Sequence, residues 1–139
     1  MIGALFWLLT LVACGYAVAL GGRSGRWAAA LVIAASLLTI PATRLGQGWE
    51  GPEALIFLVD LGLLAGLYHL SLRTDRYFPI WMTGFHLLAV LTHLSTLAAP
   101  DFTPQIYRAA ESLWAIPMAI AMMWGITLDR AVLSKERPL

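Results

Sequence analysis

The chain has 139 residues, of which 60% are hydrophobic and only 12% are charged, and its formal net charge is +1. Because soluble domains average about 25% charged residues, this composition excludes an ordinary soluble protein. At about 20 apolar residues per helical span, the length allows five or six membrane crossings and no separate catalytic or nucleic-acid-binding domain.

Five apolar stretches predict five transmembrane helices, separated by short turns that are rich in Gly, Pro and charge. The stretches cover residues 2–20, 27–43, 52–72, 78–99 and 109–128. Since the connections are short, we expect successive helices to run antiparallel. The sequence therefore predicts an all-α integral membrane protein, a single bundle domain of five transmembrane helices over residues 1–139.

The positive charges predict the orientation of this bundle, because Lys and Arg near a helix end resist translocation whereas Asp and Glu count for little. Only Arg44 and Arg108 lie beside one set of alternate turns. The other seven Lys and Arg residues lie beside the opposite set, at positions 23, 26, 73, 76, 130, 135 and 137. We therefore expect the N-terminus outside and the C-terminus in the cytoplasm. The compact chain, without eukaryotic sorting signals, favours a multi-pass protein of the bacterial inner membrane.

No motif in the sequence predicts an enzyme, a metal site or a cofactor. Residues 46–51 read GQGWEG and match the glycine pattern of a dinucleotide-binding loop. That loop requires a preceding strand and a following helix of a βαβ unit, whereas these residues connect two membrane spans. The chain has one cysteine, Cys14, and no His or Cys spacing typical of zinc, so we expect a non-enzymatic protein.

The ionisable residues within the spans are the candidate functional residues, because a charged group at membrane depth costs about 2.5–3.5 kcal/mol. At a rise of 1.5 Å per residue, Asp60 lies about 10 Å, His93 about 6 Å and Glu111 about 3–4 Å from the outer ends of their spans. All three belong to the outer half. Asp60 and His93 are on adjacent antiparallel helices, and a contact between them would relieve the cost of burying the carboxylate.

Two interpretations of this group remain open. In the functional one, Asp60, His93 and Glu111 form an outward-opening polar pocket that binds a proton or a cation. Arg108, one helical turn from Glu111, is then the counter-charge. In the structural one, which the sequence favours, Asp60 locks helices together through a hydrogen bond. Glu111 and Arg108 are then an ordinary interfacial ion pair at spacing i, i+3.

The three histidines raise the possibility of haem. His86 and His93 are seven residues apart and lie on one face of the fourth span. The two axial ligands of a haem approach from opposite sides, which two residues on one straight helix cannot do, and His69 on the third span is at a different depth. We therefore expect neutral histidines that form hydrogen bonds between helices, with haem binding as the weaker alternative.

Gly62 and Gly66 form a small-xxx-small pattern that allows close approach of two helix backbones. By the 100° step of a helix they lie opposite Asp60, so the third span has one polar face and one packing face. The glycine face meets either another span of this chain or a partner chain.

The leading hypothesis is a small non-enzymatic subunit that stabilises a larger inner-membrane complex or self-associates through Gly62 and Gly66. The short loops leave little room for an aqueous pathway of its own. The alternative is a homo-oligomeric proton- or cation-linked channel or transporter that uses Asp60, His93 and Glu111. The expected partners are the lipid bilayer and other membrane subunits or copies of this chain, with no nucleic acid.

Overall fold

The computed structural model describes residues 2–45, 52–98 and 113–135, which form five helices and contain no strand. The helices are α1 (Ile2–Leu20), α2 (Gly22–Leu45), α3 (Pro52–Arg73), α4 (Phe78–Ala98) and α5 (Ala115–Lys135). The all-helical fold class is confirmed, and each helix corresponds to one of the five apolar stretches.

Four helices, α2 to α5, are long and apolar enough to cross a membrane. In α1 the corresponding apolar segment, Ala4–Leu20, is shorter. Large apolar side chains cover the outside of the bundle; Leu58 is 64% exposed and Leu72 is 66% exposed. Soluble monomers rarely expose apolar surface on this scale, so the fold supports a multi-pass membrane protein.

Two helix boundaries differ from the prediction. The turn expected at residues 21–26 is almost entirely helical, because α2 begins at Gly22. Gly22 has a φ of 62°, which glycine adopts without the steric cost that a Cβ imposes. The last helix continues to Lys135 instead of ending at residue 128, and the predicted start of that span, residue 109, lies outside the described residues.

The helices form a closed ring. Each helix packs against its neighbours in the sequence, and α1 packs against α5. Small side chains line the α1–α2 contact, and larger ones from α3 to α5 fill the core. The fully buried members include Ala17, Ala28, Ala29, Leu67, Phe78, Met82 and Ile126. This core occupies the half of the bundle near the α1–α2 and α3–α4 turns.

These two turns lie together at what we call the basic end of the bundle. The Ser24 Oγ and Thr74 Oγ1 atoms are 2.8 Å apart, which joins the start of α2 to the turn after α3. The Arg76 guanidinium lies 3.5 Å from the Asp129 carboxylate on α5. The segments that carry Arg23, Arg73 and Arg76 therefore lie at the same end of the bundle, and the predicted membrane orientation stays a prediction.

Of the two glycines in the small-xxx-small pattern, Gly66 lies at a close helix contact in the described part of the chain and Gly62 does not. A Cβ atom added at Gly66 would lie 2.7 Å from Leu31 Cδ2 of α2, so this glycine allows α3 to approach α2 closely. A Cβ atom added at Gly62 would meet nothing within 4 Å in the described part of the chain. Close packing at Gly66 thus occurs within the chain, and Gly62 faces outwards.

Candidate functional site

The site is built around Asp60, which lies about 12 Å along α3 from the helix start at Pro52. His93 on the neighbouring α4 places its Nε2 atom 3.0 Å from Asp60 Oδ2. The side chains are 20% exposed for Asp60 and 10% exposed for His93. The Asp60–His93 contact predicted from the antiparallel arrangement of the two spans is therefore confirmed, while its functional role stays a prediction.

His86 is a second histidine partner of Asp60, and this contact was not predicted from the sequence. Its Nε2 atom is 3.0 Å from the Asp60 backbone oxygen and 3.9 Å from Asp60 Oδ1. Because a carbonyl oxygen only accepts hydrogen bonds, Nε2 of His86 is the protonated nitrogen that donates. The signal for this contact was the seven-residue spacing from His93, which puts both rings on one face of α4.

The three residues border a cavity of about 510 Å³ between the helices. This volume falls within the range of about 300–1,000 Å³ that is typical of small-molecule sites. All five helices contribute to its walls, and most of the lining side chains are apolar. The polar ones are Thr10, Cys14, Ser36, Thr39, Asp60, His86 and His93. Asp60 is therefore part of a cavity wall as well as a partner of His93 on the neighbouring helix.

The cavity lies towards the end of the bundle opposite the basic end, and an apolar core separates it from the basic end. Within the described residues, the buried polar side chains are Thr10, His86 and His93, and all of them line the cavity. Leu67, Phe78 and Ile126 fill the bundle beyond it and are at most 1% exposed. A charged group in the cavity consequently meets an apolar barrier towards the basic end.

The electrostatics of the site follow from its titratable groups. From the described lining residues, α3 contributes Asp60, α4 contributes His86 and His93, and α1 contributes the Cys14 thiol. Among the described lining residues of α2, the polar groups are the hydroxyls of Ser36 and Thr39. With both histidines neutral and Asp60 ionised, the site carries one negative charge. A partly buried carboxylate is costly unless it is paired, and the 3.0 Å contact between Asp60 Oδ2 and His93 Nε2 supplies that pairing.

The other predicted site residues are not part of this cluster. Glu111 and Arg108 lie outside the described residues, so their predicted roles stay untested. Gly62 and Gly66 do not line the cavity. His69 is exposed and borders a different pocket, close to the basic end. No group of three or more His, Cys, Asp and Glu side chains in the described ranges is placed to hold a metal ion.

The histidine geometry adds no support to haem binding. His86 and His93 lie on the same helix, and the Nε2 atoms of both rings contact Asp60. A bis-histidine haem needs two such nitrogen atoms on opposite faces of the macrocycle, and His69 belongs to a separate pocket. The haem hypothesis therefore stays a sequence-based alternative.

Comparison with known proteins gives no match to a family model, to a curated protein or to a solved structure.

Proposed function

We propose that this chain is a proton- or cation-linked channel or transporter in which Asp60 is the charged binding group. The observation that carries the proposal is the position of the Asp60 carboxylate, which borders a cavity of about 510 Å³ and is held 3.0 Å from His93 Nε2. A purely structural hydrogen bond between helices needs no cavity beside it. The proposed activity consists of binding and release, without covalent chemistry.

The proposal includes five membrane crossings, with the N-terminus outside and the C-terminus in the cytoplasm of a bacterial cell. Four helices are long and apolar enough to span. The shorter α1 packs against both α2 and α5, and this position supports a fifth crossing alongside them. The grouping of Arg23, Arg73 and Arg76 at the basic end supports placing that end in the cytoplasm. The cavity then belongs to the outer half of the membrane.

The proposed mechanism is an exchange of one positive charge at Asp60. A proton or a cation that enters from the outer side neutralises the carboxylate, with His93 as the adjacent group that shares the proton. Passage towards the cytoplasm requires the helices around Leu67, Phe78 and Ile126 to separate, because these side chains fill the path. The resting bundle is then closed on its cytoplasmic side, as alternating access requires.

A flux measurement tests the proposal. The purified protein is reconstituted into liposomes that contain a pH-sensitive dye, and proton entry is followed under an imposed membrane potential, with Na⁺ or K⁺ gradients in parallel samples. We expect flux from the wild-type protein and its loss in Asp60→Asn. Asp75→Asn is the matched control, because the same chemical change is made at an exposed turn outside the cavity.

Two results would contradict the transport proposal. The first is the absence of proton, Na⁺ and K⁺ flux from wild-type protein that is folded and inserted. The second is equal flux in the wild-type protein and in Asp60→Asn. Circular dichroism and size-exclusion profiles of both variants show whether each is folded, so that a loss of flux is assigned to the carboxylate.

The second candidate is the non-enzymatic subunit that the sequence favoured. It is supported by Gly62, which faces outwards on α3 with nothing within 4 Å of the position of a Cβ atom. A neighbouring helix of another chain would approach closely there. Mass measurement of the protein extracted from its source membrane in mild detergent tests this role, and recovery of monomers alone would contradict it.

A further inference from the structure

A second pocket, of about 620 Å³, lies between α2 and α3 at the basic end. Two arginines from different helices border it: Arg23 in the first turn of α2 and Arg73 at the last position of α3. His69, one helical turn before Arg73, lines the same pocket. The hydrogen bond between Ser24 and Thr74 joins the two segments that carry the arginines.

The charge of this pocket is not balanced within the described part of the chain. The ion pairs there join Arg76 to Asp129 and the two cavity histidines to Asp60. Neither Arg23 nor Arg73 takes part in them. Two guanidinium groups beside one pocket, without an acidic partner in the described ranges, favour an external anion. Arginine binds phosphate oxygens with two parallel N–H donors, which makes phosphate the best-matched anionic group.

Apart from the hydroxyl groups of Ser24 and Thr74, the rest of the pocket is apolar and follows the contact between two spanning helices. Leu31, Gly66 and Leu70 line it on the side towards the membrane interior. Trp27 lines it and is 57% exposed, a position typical of an aromatic side chain at the membrane interface. The pocket thus has donors for a phosphate group at its end and an apolar groove beside it.

From this combination we infer that the pocket binds an anionic phospholipid, with its phosphate between Arg23 and Arg73 and an acyl chain along the α2–α3 groove. Basic pockets between transmembrane helices on the cytoplasmic side are suited to such headgroups. A soluble phosphate ester offers the same phosphate chemistry but would leave the Leu31–Leu70 surface unused. This inference needs the basic end to lie at a membrane surface, and it does not depend on transport at Asp60.

Native mass spectrometry of the full-length protein in detergent tests the inference. The protein is mixed with equal concentrations of phosphatidylglycerol and phosphatidylcholine that carry the same acyl chains, and the bound lipid is measured. We expect preferential retention of phosphatidylglycerol. Arg23→Gln with Arg73→Gln should lower its binding by about 30-fold, and each single change by about fivefold, from the contribution of one arginine near a charged lipid.

The matched control is Arg26→Gln with Arg130→Gln, which removes the same number of charges from exposed residues outside the pocket. It should keep the wild-type preference. An equal loss in the control would overturn the inference, because it would show a general attraction to positive charge. Retention of both lipids to the same extent by the wild-type protein would also overturn it.

A competition experiment distinguishes binding of the phospholipid from binding of a soluble phosphate ester. Glycerol 3-phosphate is added at the concentration of the phosphatidylglycerol. We expect it to leave the bound lipid in place, since it lacks the acyl chains that contact the apolar groove. Its displacement of the lipid at equal concentration would overturn the assignment to a phospholipid. If the double variant does not fold, the two single variants give the same comparison.

Discussion

The coupling between Asp60 and His93 gives the sharpest energetic prediction for the site. Their contact is 3.0 Å long, and neither side chain is more than 20% exposed. A hydrogen bond to a charged group contributes about 1.5–3 kcal/mol in proteins, and polar pairs inside membrane bundles contribute about 0.6 kcal/mol on average and about 1.7 at most. We therefore expect a coupling free energy of about 1–2 kcal/mol.

A double-mutant cycle measures this coupling. Asp60→Ala, His93→Ala and the double variant are unfolded reversibly in mixed micelles of increasing SDS content, and helicity is followed by circular dichroism. The double variant should be more stable than the sum of the two single effects predicts, by the coupling free energy. Additive effects, within about 0.3 kcal/mol, would refute the contact as a stabilising pair.

His86 provides the control cycle, because its contact with Asp60 involves the backbone. Its Nε2 atom donates to the Asp60 carbonyl at 3.0 Å, a bond that survives removal of the side chain. The contact with the carboxylate itself is 3.9 Å, beyond hydrogen-bond distance. The cycle of Asp60→Ala with His86→Ala should therefore give less than about 0.5 kcal/mol. A larger coupling for His86 than for His93 would contradict the geometry of the site.

Two further predictions test the packing of the bundle. A Cβ atom added at Gly125 would overlap the Cβ atom of Phe78, so Gly125→Ala should lower the free energy of unfolding by about 1–3 kcal/mol. Gly62→Ala, which adds the same atom in open space, should not destabilise a monomer in the same assay. An equal loss of unfolding free energy in the two variants would contradict the α4–α5 packing. Cysteines placed at Ser24 and Thr74, in a chain whose native cysteine is replaced by alanine, should form an intramolecular disulfide under mild oxidation, because the two side-chain oxygens are 2.8 Å apart. The disulfide is detected as faster migration on non-reducing gels than either single variant shows. Its absence would contradict the placement of the two basic turns at one end of the bundle.

Hydrophobic patterning was sufficient to predict the five helices, because each is one long apolar stretch, and four of them are long and apolar enough to cross a membrane. It was also sufficient for the Asp60–His93 contact, since the two residues lie at similar depths on adjacent antiparallel helices. The ends of the helices were less predictable. Gly21 and Gly22 read as the start of a long turn, yet Gly22 closes the turn immediately by adopting a positive φ.

The cavity could not be predicted from the sequence, because it depends on how five helices pack around a common centre. Small residues such as Ala13, Ala35 and Ala89 line the cavity, and in the sequence nothing distinguishes them from small residues at close helix contacts. The partner of His86 was missed for a related reason. It is a backbone carbonyl, which every residue of α3 carries, so the spacing from His93 indicates the helix face of His86 but not the atom that accepts its hydrogen bond.

The transport proposal requires that water reaches the cavity beside Asp60 from the side opposite the basic end. Thr39 lines this cavity, whereas its neighbour Leu38 is 57% exposed on the outside of the bundle. Thiols react as thiolates, which form in water and not in lipid. In a chain whose native cysteine is replaced, a charged, membrane-impermeant thiol reagent added outside intact cells should label Thr39→Cys and spare Leu38→Cys. The failure of Thr39→Cys to react, or its labelling only from the cytoplasmic side of inverted vesicles, would contradict the account.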